Sequence, residues 1–158
     1  MSAVSITDIA DWFALREPMS NKKVQKLCYY AEAWSEALSG GKIAPDADFE
    51  AWAQGPVNRK LWEKYKGLGW GESILDDPAG TKERLEAILT DDQLYVLGSV
   101  WVTYKDLSAD ELEMLTHQEK PWLEKRTGLN RFETGRRRIS RRTMREYYRS
   151  KRIRKATD

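Results

Sequence analysis

Apolar residues recur along most of this chain at three- and four-residue spacing, the period of a helix with one side turned away from water. From Thr7 to Leu15, Ile9, Trp12 and Phe13 share a side. From Asn21 to Leu38 the inward positions are Val24, Leu27, Cys28, Ala31, Trp34 and Leu38. Ser20 is placed to cap that helix and Gly40-Gly41 to end it. Pro56 suits the first turn of a helix carrying Val57, Leu61, Trp62 and Tyr65. The Gly-, Asp- and Pro-rich stretch Gly67 to Gly80 reads as a loop, and a helix follows from Thr81 to Leu89.

Two capping boxes come next, Thr90-Asp91-Asp92-Gln93 and Ser108-Ala109-Asp110-Glu111. In each, a hydroxyl precedes an amide or carboxylate by three residues, so two side chains satisfy two otherwise unpaired N–H groups. The first opens a helix with Leu94, Leu97, Trp101 and Tyr104 inward; the second turns Leu112 and Leu115 inward. Phe49 to Ala53 is the one short strand candidate. The expected fold is therefore mainly α, α+β at most. It should be a compact single-domain helical bundle with room for a small antiparallel sheet or hairpin near residues 43–57. No repeat, coiled coil or low-complexity linker interrupts it.

At 158 residues the chain suits one domain with a real core. Its formal charge of +2 conceals a division. Arg131 to Asp158 holds 12 Lys and Arg against 3 Asp and Glu, leaving 15 against 22 in everything before it. An acidic body thus carries a strongly basic end. One cysteine, Cys28, excludes an internal disulfide and a four-cysteine zinc site. One histidine, His117, excludes a multi-histidine metal centre. No apolar run approaches the roughly 20 residues needed to cross a bilayer. The start, MSAVSITDIADWF, lacks the basic opening and long apolar stretch of a secretory signal. The expectation is a soluble cytoplasmic protein in a reducing compartment, with no membrane contact.

Candidate chemistry is sparse. His117 and Glu119 could be imagined as a metal or acid–base pair, but further ligands at diagnostic spacing are missing. A lone histidine before Pro121-Trp122 reads instead as a helix end closed by a buried indole. Cys28 lies within an apolar stripe, with no cation nearby to activate it. The glycines around Trp70 neither follow a strand nor open a helix, so they do not form a phosphate loop. No catalytic residue, cofactor or metal site is expected. Trp12, Trp34, Trp62, Trp101 and Tyr104 sit on inward stripes, whereas Trp70, in the Gly-rich loop, is a candidate exposed aromatic.

The basic end says more. Projected as a helix from Ile139, Thr143, Met144, Tyr147 and Tyr148 share one side, and Arg138, Arg141, Arg142, Arg145, Arg149 and Arg152 cluster on another. The expectation is a helix docked by its apolar-aromatic side, exposing an arginine ridge. Such a ridge is either a solvated face or an anion-binding surface, since arginine's planar fork pairs with carboxylate or phosphate through two hydrogen bonds. Charge alone does not choose between an acidic protein and nucleic acid.

Three motifs in order resemble a known family. Ser20-Asn21-Lys22-Lys23-Val24-Gln25-Lys26-Leu27-Cys28-Tyr29-Tyr30-Ala31, with Trp34, looks like the opening helix of the Panacea domain, the SocA-like antitoxin family also met as phage-associated proteins. Phe49-Glu50-Ala51-Trp52-Ala53-Gln54-Gly55-Pro56-Val57 resembles its second signature. Thr116-His117-Gln118-Glu119-Lys120-Pro121-Trp122 resembles its third, and Ile139 to Tyr148 its closing helix. The chain departs from the pattern at Cys28, where an aliphatic residue is usual, and in its arginine load.

The resemblance spans about Ser20 to Tyr148; the domain is expected over residues 7–150, and the charge run reads 151–158 as a frayed basic tail. The resemblance implies a non-enzymatic antitoxin that silences a cognate toxin by binding it, in one lineage delivering it to a Clp-type protease. A nucleic-acid-binding regulator is the alternative. The motif residues Lys23, Gln25, Lys26, Leu27, Tyr30, Trp34, Glu50, Trp52, Gly55, Pro56, Val57, His117, Glu119, Pro121 and Trp122 are expected to be structural. Partner contact is expected from the arginine ridge, Asn58, Arg59 and Trp70. Gly55 and Pro56 should form a corner that starts a helix, with Trp52 packed beneath it.

Overall fold

The computed structural model describes residues 3–68, 72 and 75–156. Trp70 lies outside the described residues. The chain opens with α1 (Ile6–Ala14), which starts at a capping box in which Ser5 and Asp8 satisfy each other's backbone. Helix α2 (Asn21–Ser39) follows, with Ser20 accepting from the Lys23 amide at 3.2 Å. Gly40, at φ 75°, ends it in the left-handed conformation that costs glycine little.

The next elements correct the expected helix at Pro56. Strands β1 (Glu50–Trp52) and β2 (Gly55–Val57) pair antiparallel, Glu50 opposite Val57 and Ala51 opposite Pro56. Helix α3 (Arg59–Tyr65) begins only after Asn58, whose Oδ1 accepts from the Leu61 amide at 3.1 Å. A proline is favoured both at a helix start and at a sheet edge, and here the ladder prevails. Residues 137–139 return alongside β1: the Ala51 amide donates to the Arg137 carbonyl and the Ile139 amide to the Phe49 carbonyl, both at 2.8 Å.

Helix α4 (Pro78–Ile88) starts three residues earlier than its apolar pattern indicates, because Asp77 accepts from the Gly80 amide. Its Arg84 reaches Asp8 and Asp11 of α1. Helices α5 (Asp91–Tyr104) and α6 (Ala109–Thr116) open on the two capping boxes read in the sequence. Helix α7 (Lys120–Leu123) and α8 (Arg141–Arg149) complete the chain. The fold is mainly α, with one small hairpin among the described residues.

Helix α2 is the axis of the assembly, touched by α1, α5, α6, α8 and the hairpin. Every residue from Val24 to Ala37 is buried, so the helix turns no face to water. Its Leu27, Cys28 and Tyr29 share one core with Ile9, Phe13, Leu61, Leu97 and Met144. Each such side chain contributes about 1.5–3 kcal/mol by leaving water. Leu38 and Trp62, read as inward, are exposed instead. The end of the chain is held rather than frayed as far as residue 156. The Arg154 amide donates to Thr103 Oγ1 at 2.9 Å and the Ala156 amide to Ser99 Oγ at 3.1 Å, both on α5. Among the described residues no helix is long and apolar enough to cross a membrane.

Gly55 gives a sharp test of the hairpin. It sits at φ 106°, and a β-carbon there would stand 2.7 Å from Lys26 Cε. Gly55→Ala should lower unfolding free energy by about 2 kcal/mol or more in urea denaturation, combining backbone strain with a clash. Gly41→Ala, which meets nothing within 4 Å, should change it by less than about 0.5 kcal/mol.

Candidate partner-binding site

The arginines of α8 do not form the exposed ridge expected of them. Ser140 caps the helix, so Arg138 and Ile139 lie in extended chain before it, off the helical wheel. The stripe facing α2 is then Arg141, Met144, Arg145, Tyr148 and Arg149, one continuous helical side. Arg141 Nη2 donates to Glu32 Oε1 at 2.6 Å, Nε to Glu36 Oε2 at 2.7 Å and Nη1 to the Ala47 carbonyl at 2.8 Å. Arg145 Nη2 reaches Glu36 Oε1 at 2.8 Å, and Arg149 Nε donates to the Ala37 carbonyl at 3.1 Å. Carboxylates four residues apart on α2 thus meet guanidiniums four residues apart on α8.

That seam is a structural device. Glu32 also accepts from the Ile43 and Ala44 amides at 3.2 and 3.1 Å, tying the connector after α2 to the same charge. Burial pushes the Glu32 carboxyl up, with Arg141 and those amides opposing it. At Glu36 burial also pushes up, but hydrogen bonds from Arg145 and Arg141 outweigh it and hold the carboxyl below its usual range. Of the six arginines, Arg138, 3.8 Å from Asp48, Arg142, paired with Glu146 at 3.0 Å, Arg149 and Arg152 remain exposed.

Asn58 is likewise not presented to a partner. It is buried, its amide donating to Gln25 Oε1 at 2.9 Å and its Nδ2 to the Asp46 and Asp48 carbonyls. Arg59 is exposed and bonded to Glu50, whose carboxylate also accepts from Trp52 Nε1 at 2.8 Å. Trp52 is half-buried at the rim of a groove with Trp62, their rings 5.8 Å apart, rather than beneath the corner.

The motif residues converge on α2. Lys26, 1 % exposed, donates from Nζ to the Pro56 carbonyl at 3.2 Å. Burial lowers its pKa to about 7. Gln25 holds Asn58 from both ends, its Nε2 donating to the Asn58 carbonyl at 3.0 Å. Lys23 Nζ donates to the Lys105 carbonyl, and Trp34 Nε1 to Tyr104 Oη at 2.9 Å. Leu27 and Val57 are buried apolar packing. Glu119, imagined as half of an acid–base pair, is buried and accepts from Tyr30 at 2.7 Å and Tyr148 at 2.8 Å. Burial raises its pKa, and those two hydroxyls oppose the rise.

His117 ends α6 and stacks on Trp122, with ring centres 4.0 Å apart. Trp122 Nε1 in turn donates to the Trp52 carbonyl at 2.8 Å, beside buried Pro121. The histidine therefore does close a helix end. Burial lowers its pKa, and the charges of Lys26, Arg131 and Arg126 add to that against Glu113. Its Nε2 is buried with no hydrogen-bond partner. Among the described residues no group of three or more His, Cys, Asp or Glu side chains could hold a metal ion.

The family model described as antitoxin SocA-like, Panacea domain, matches residues 24–123. The chain belongs to this family. Neither a curated protein nor a solved structure matches it. The match spans α2, the hairpin and α7 but ends before α8, although α8 supplies Arg141 and Tyr148 to the interior of the Panacea domain. What the sequence reading missed is the seam's carboxylates, Glu32 and Glu36, and the exposed apolar side chains Met114 and Leu123. The four-residue spacing of the glutamates, matched to that of Arg141 and Arg145, was a usable signal for the seam.

Arg141→Met should lower unfolding free energy by about 3–5 kcal/mol, because it leaves the buried Glu32 carboxylate without its cation. Pairing it with Glu32→Gln should recover part of that loss, measured by urea denaturation at neutral pH. Lys26 sets a pH dependence. Its folded pKa, about 7, lies below the unfolded 10.5, so the folded chain binds fewer protons between those values and stability rises with pH there. Thermal midpoints should climb from about pH 7 to 9.0, above which ionisation of the unfolded Cys28 thiol opposes the trend. Lys26→Met should flatten that slope.

Proposed function

We propose that this Panacea domain is an antitoxin that neutralises a protein toxin by binding it directly, without catalysing a reaction. The match to the SocA-like family over residues 24–123 carries this reading. Two features of the site support it. His117 and Glu119 have separate surroundings, the imidazole stacked on Trp122 and the carboxylate held by two tyrosines. The motif residues of α2, the hairpin and α7 are joined to one another inside the domain, which leaves its outer surface as the means of acting on a partner. Delivery of the toxin to a Clp-type protease is part of the same reading and rests on the family resemblance.

The nucleic-acid alternative drew on an arginine face. With Arg141 and Arg145 paired to Glu32 and Glu36 and Arg149 bonded to the Ala37 carbonyl, that face offers phosphate fewer free cations than the sequence promised.

The test is co-expression with the product of the adjoining reading frame. Growth arrest by that product alone, relieved when this chain is present, together with co-purification of the two proteins, is the expected outcome. Relief without a complex, or a purified chain that turns over a substrate, would end the reading.

A further inference from the structure

Exposed large apolar side chains occur singly over most of this surface, which is ordinary for a folded protein. One group is different. Met114 on α6 is 60 % exposed and Leu123 at the end of α7 is 45 % exposed, and the two line one concavity. Met114 and Leu123 rim a depression of about 480 Å³ whose floor includes His117 and Trp122 and whose far wall is Leu129 and Arg131. Clustered exposed apolar residues around a concavity mark interaction surfaces.

Charge narrows the occupant. No carboxylate lines the depression, whereas Arg126 and Arg131 do. Arg126 is held inward, donating to the Ala51, Asn130 and Glu133 carbonyls, so its charge is fixed beneath the wall. Arg131 lies at the surface with its guanidinium 5.3 Å from the Phe132 ring. The His117 ring, stacked on Trp122 with centres 4.0 Å apart, completes the lining. An apolar bowl with a fixed positive field fits a segment offering a large apolar side chain and neighbouring carboxylates. A polynucleotide fits it poorly, since phosphate binding needs a row of free cations and Arg126 is already bonded to three carbonyls.

We propose that the surface formed by Met114, Leu123, Leu129 and Arg131 around His117 is where the toxin docks, and that the toxin meets it with an acidic segment carrying an apolar anchor. This rests on the antitoxin reading and adds which face acts and what chemistry it selects. The apolar anchor would fill the bowl and the carboxylates would meet Arg131. Anchors of this kind in desolvated pockets carry most of the energy of an interface.

The experiment measures binding of the adjoining reading frame's product by calorimetry, to wild type, to Met114→Asp/Leu123→Asp, and to Leu38→Asp as a control remote from the bowl. The double variant places two negative charges where an acidic segment must sit, and both positions are exposed enough for the fold to persist. Binding should weaken by at least about thirtyfold in the double variant and by less than about threefold in the control, with thermal midpoints unchanged. Arg131→Glu should weaken binding too, and more at low salt than at high salt.

Wild-type binding that survives undiminished in the double variant would overturn this surface and leave the antitoxin reading standing. A wild type that neither binds nor relieves toxicity would overturn both. A dimer of the free protein that the double variant converts to monomer would assign the surface to a second copy. A polynucleotide displaced from the bowl by the same substitutions would assign it to nucleic acid. Either result would overturn the proposal.

Discussion

A helix buried on all sides must find a partner inside the protein for every polar group it carries, since an unpaired buried charge costs several kcal/mol. Helix α2 is such a helix, and between Val24 and Ala37 it bears Gln25, Lys26, Glu32, Ser35 and Glu36. Each of these side chains dictates a contact, all but that of Ser35 at long range. Gln25 fixes Asn58 and with it the start of α3; Lys26 fixes the β2 carbonyl at Pro56; Glu32 and Glu36 fix α8. Ser35 donates to the Gly41 carbonyl at 2.7 Å, closing the turn after the helix. The polar residues of α2 specify where its neighbours sit, and the apolar ones supply most of the driving force.

The same constraint explains the division of charge along the chain. An acidic body and a basic end resemble a domain with a free cationic arm, but much of the difference is internal. Arg141 and Arg145 neutralise Glu32 and Glu36 across more than a hundred residues of sequence. Arg126, also from the later half, holds the 130–133 turn against the hairpin through three carbonyls. The positive charge left at the surface is spread over residues 131–155, and of it Arg131 lies in the wall of the apolar bowl. Binding specificity would then come from a mixed apolar and cationic face, which discriminates between partners better than a ridge of cations alone.

Glu119 shows how closely family motif and fold are joined here. Its carboxylate takes hydroxyls from Tyr30 in the opening helix and Tyr148 in the closing one, and Tyr29 lies 3.2 Å from the Tyr148 hydroxyl. Tyr30 also stacks on Tyr104 at 4.1 Å between ring centres. This polar cluster sits where four segments distant in sequence meet. A half-satisfied cluster would be worse than an apolar core, so its members depend on one another.

Local sequence was enough for the helices, their capping boxes and the site of the hairpin, because each follows from residues within a few positions of one another. The family followed from three short motifs in order. Which way the arginines of α8 point was beyond local reading. Periodicity shows that a helix has two unlike sides, but a guanidinium goes inside only when an opposite charge waits there, and Glu32 and Glu36 are far away in the chain. Gly55-Pro56 failed for a related reason: its residues suit a helix start and a strand edge alike, and the pairing with Ala51 and Trp52 decided between them. The apolar bowl was out of reach for the same cause, since Met114, Leu123 and Leu129 come together only when the turns after α6 and α7 fold back on the hairpin.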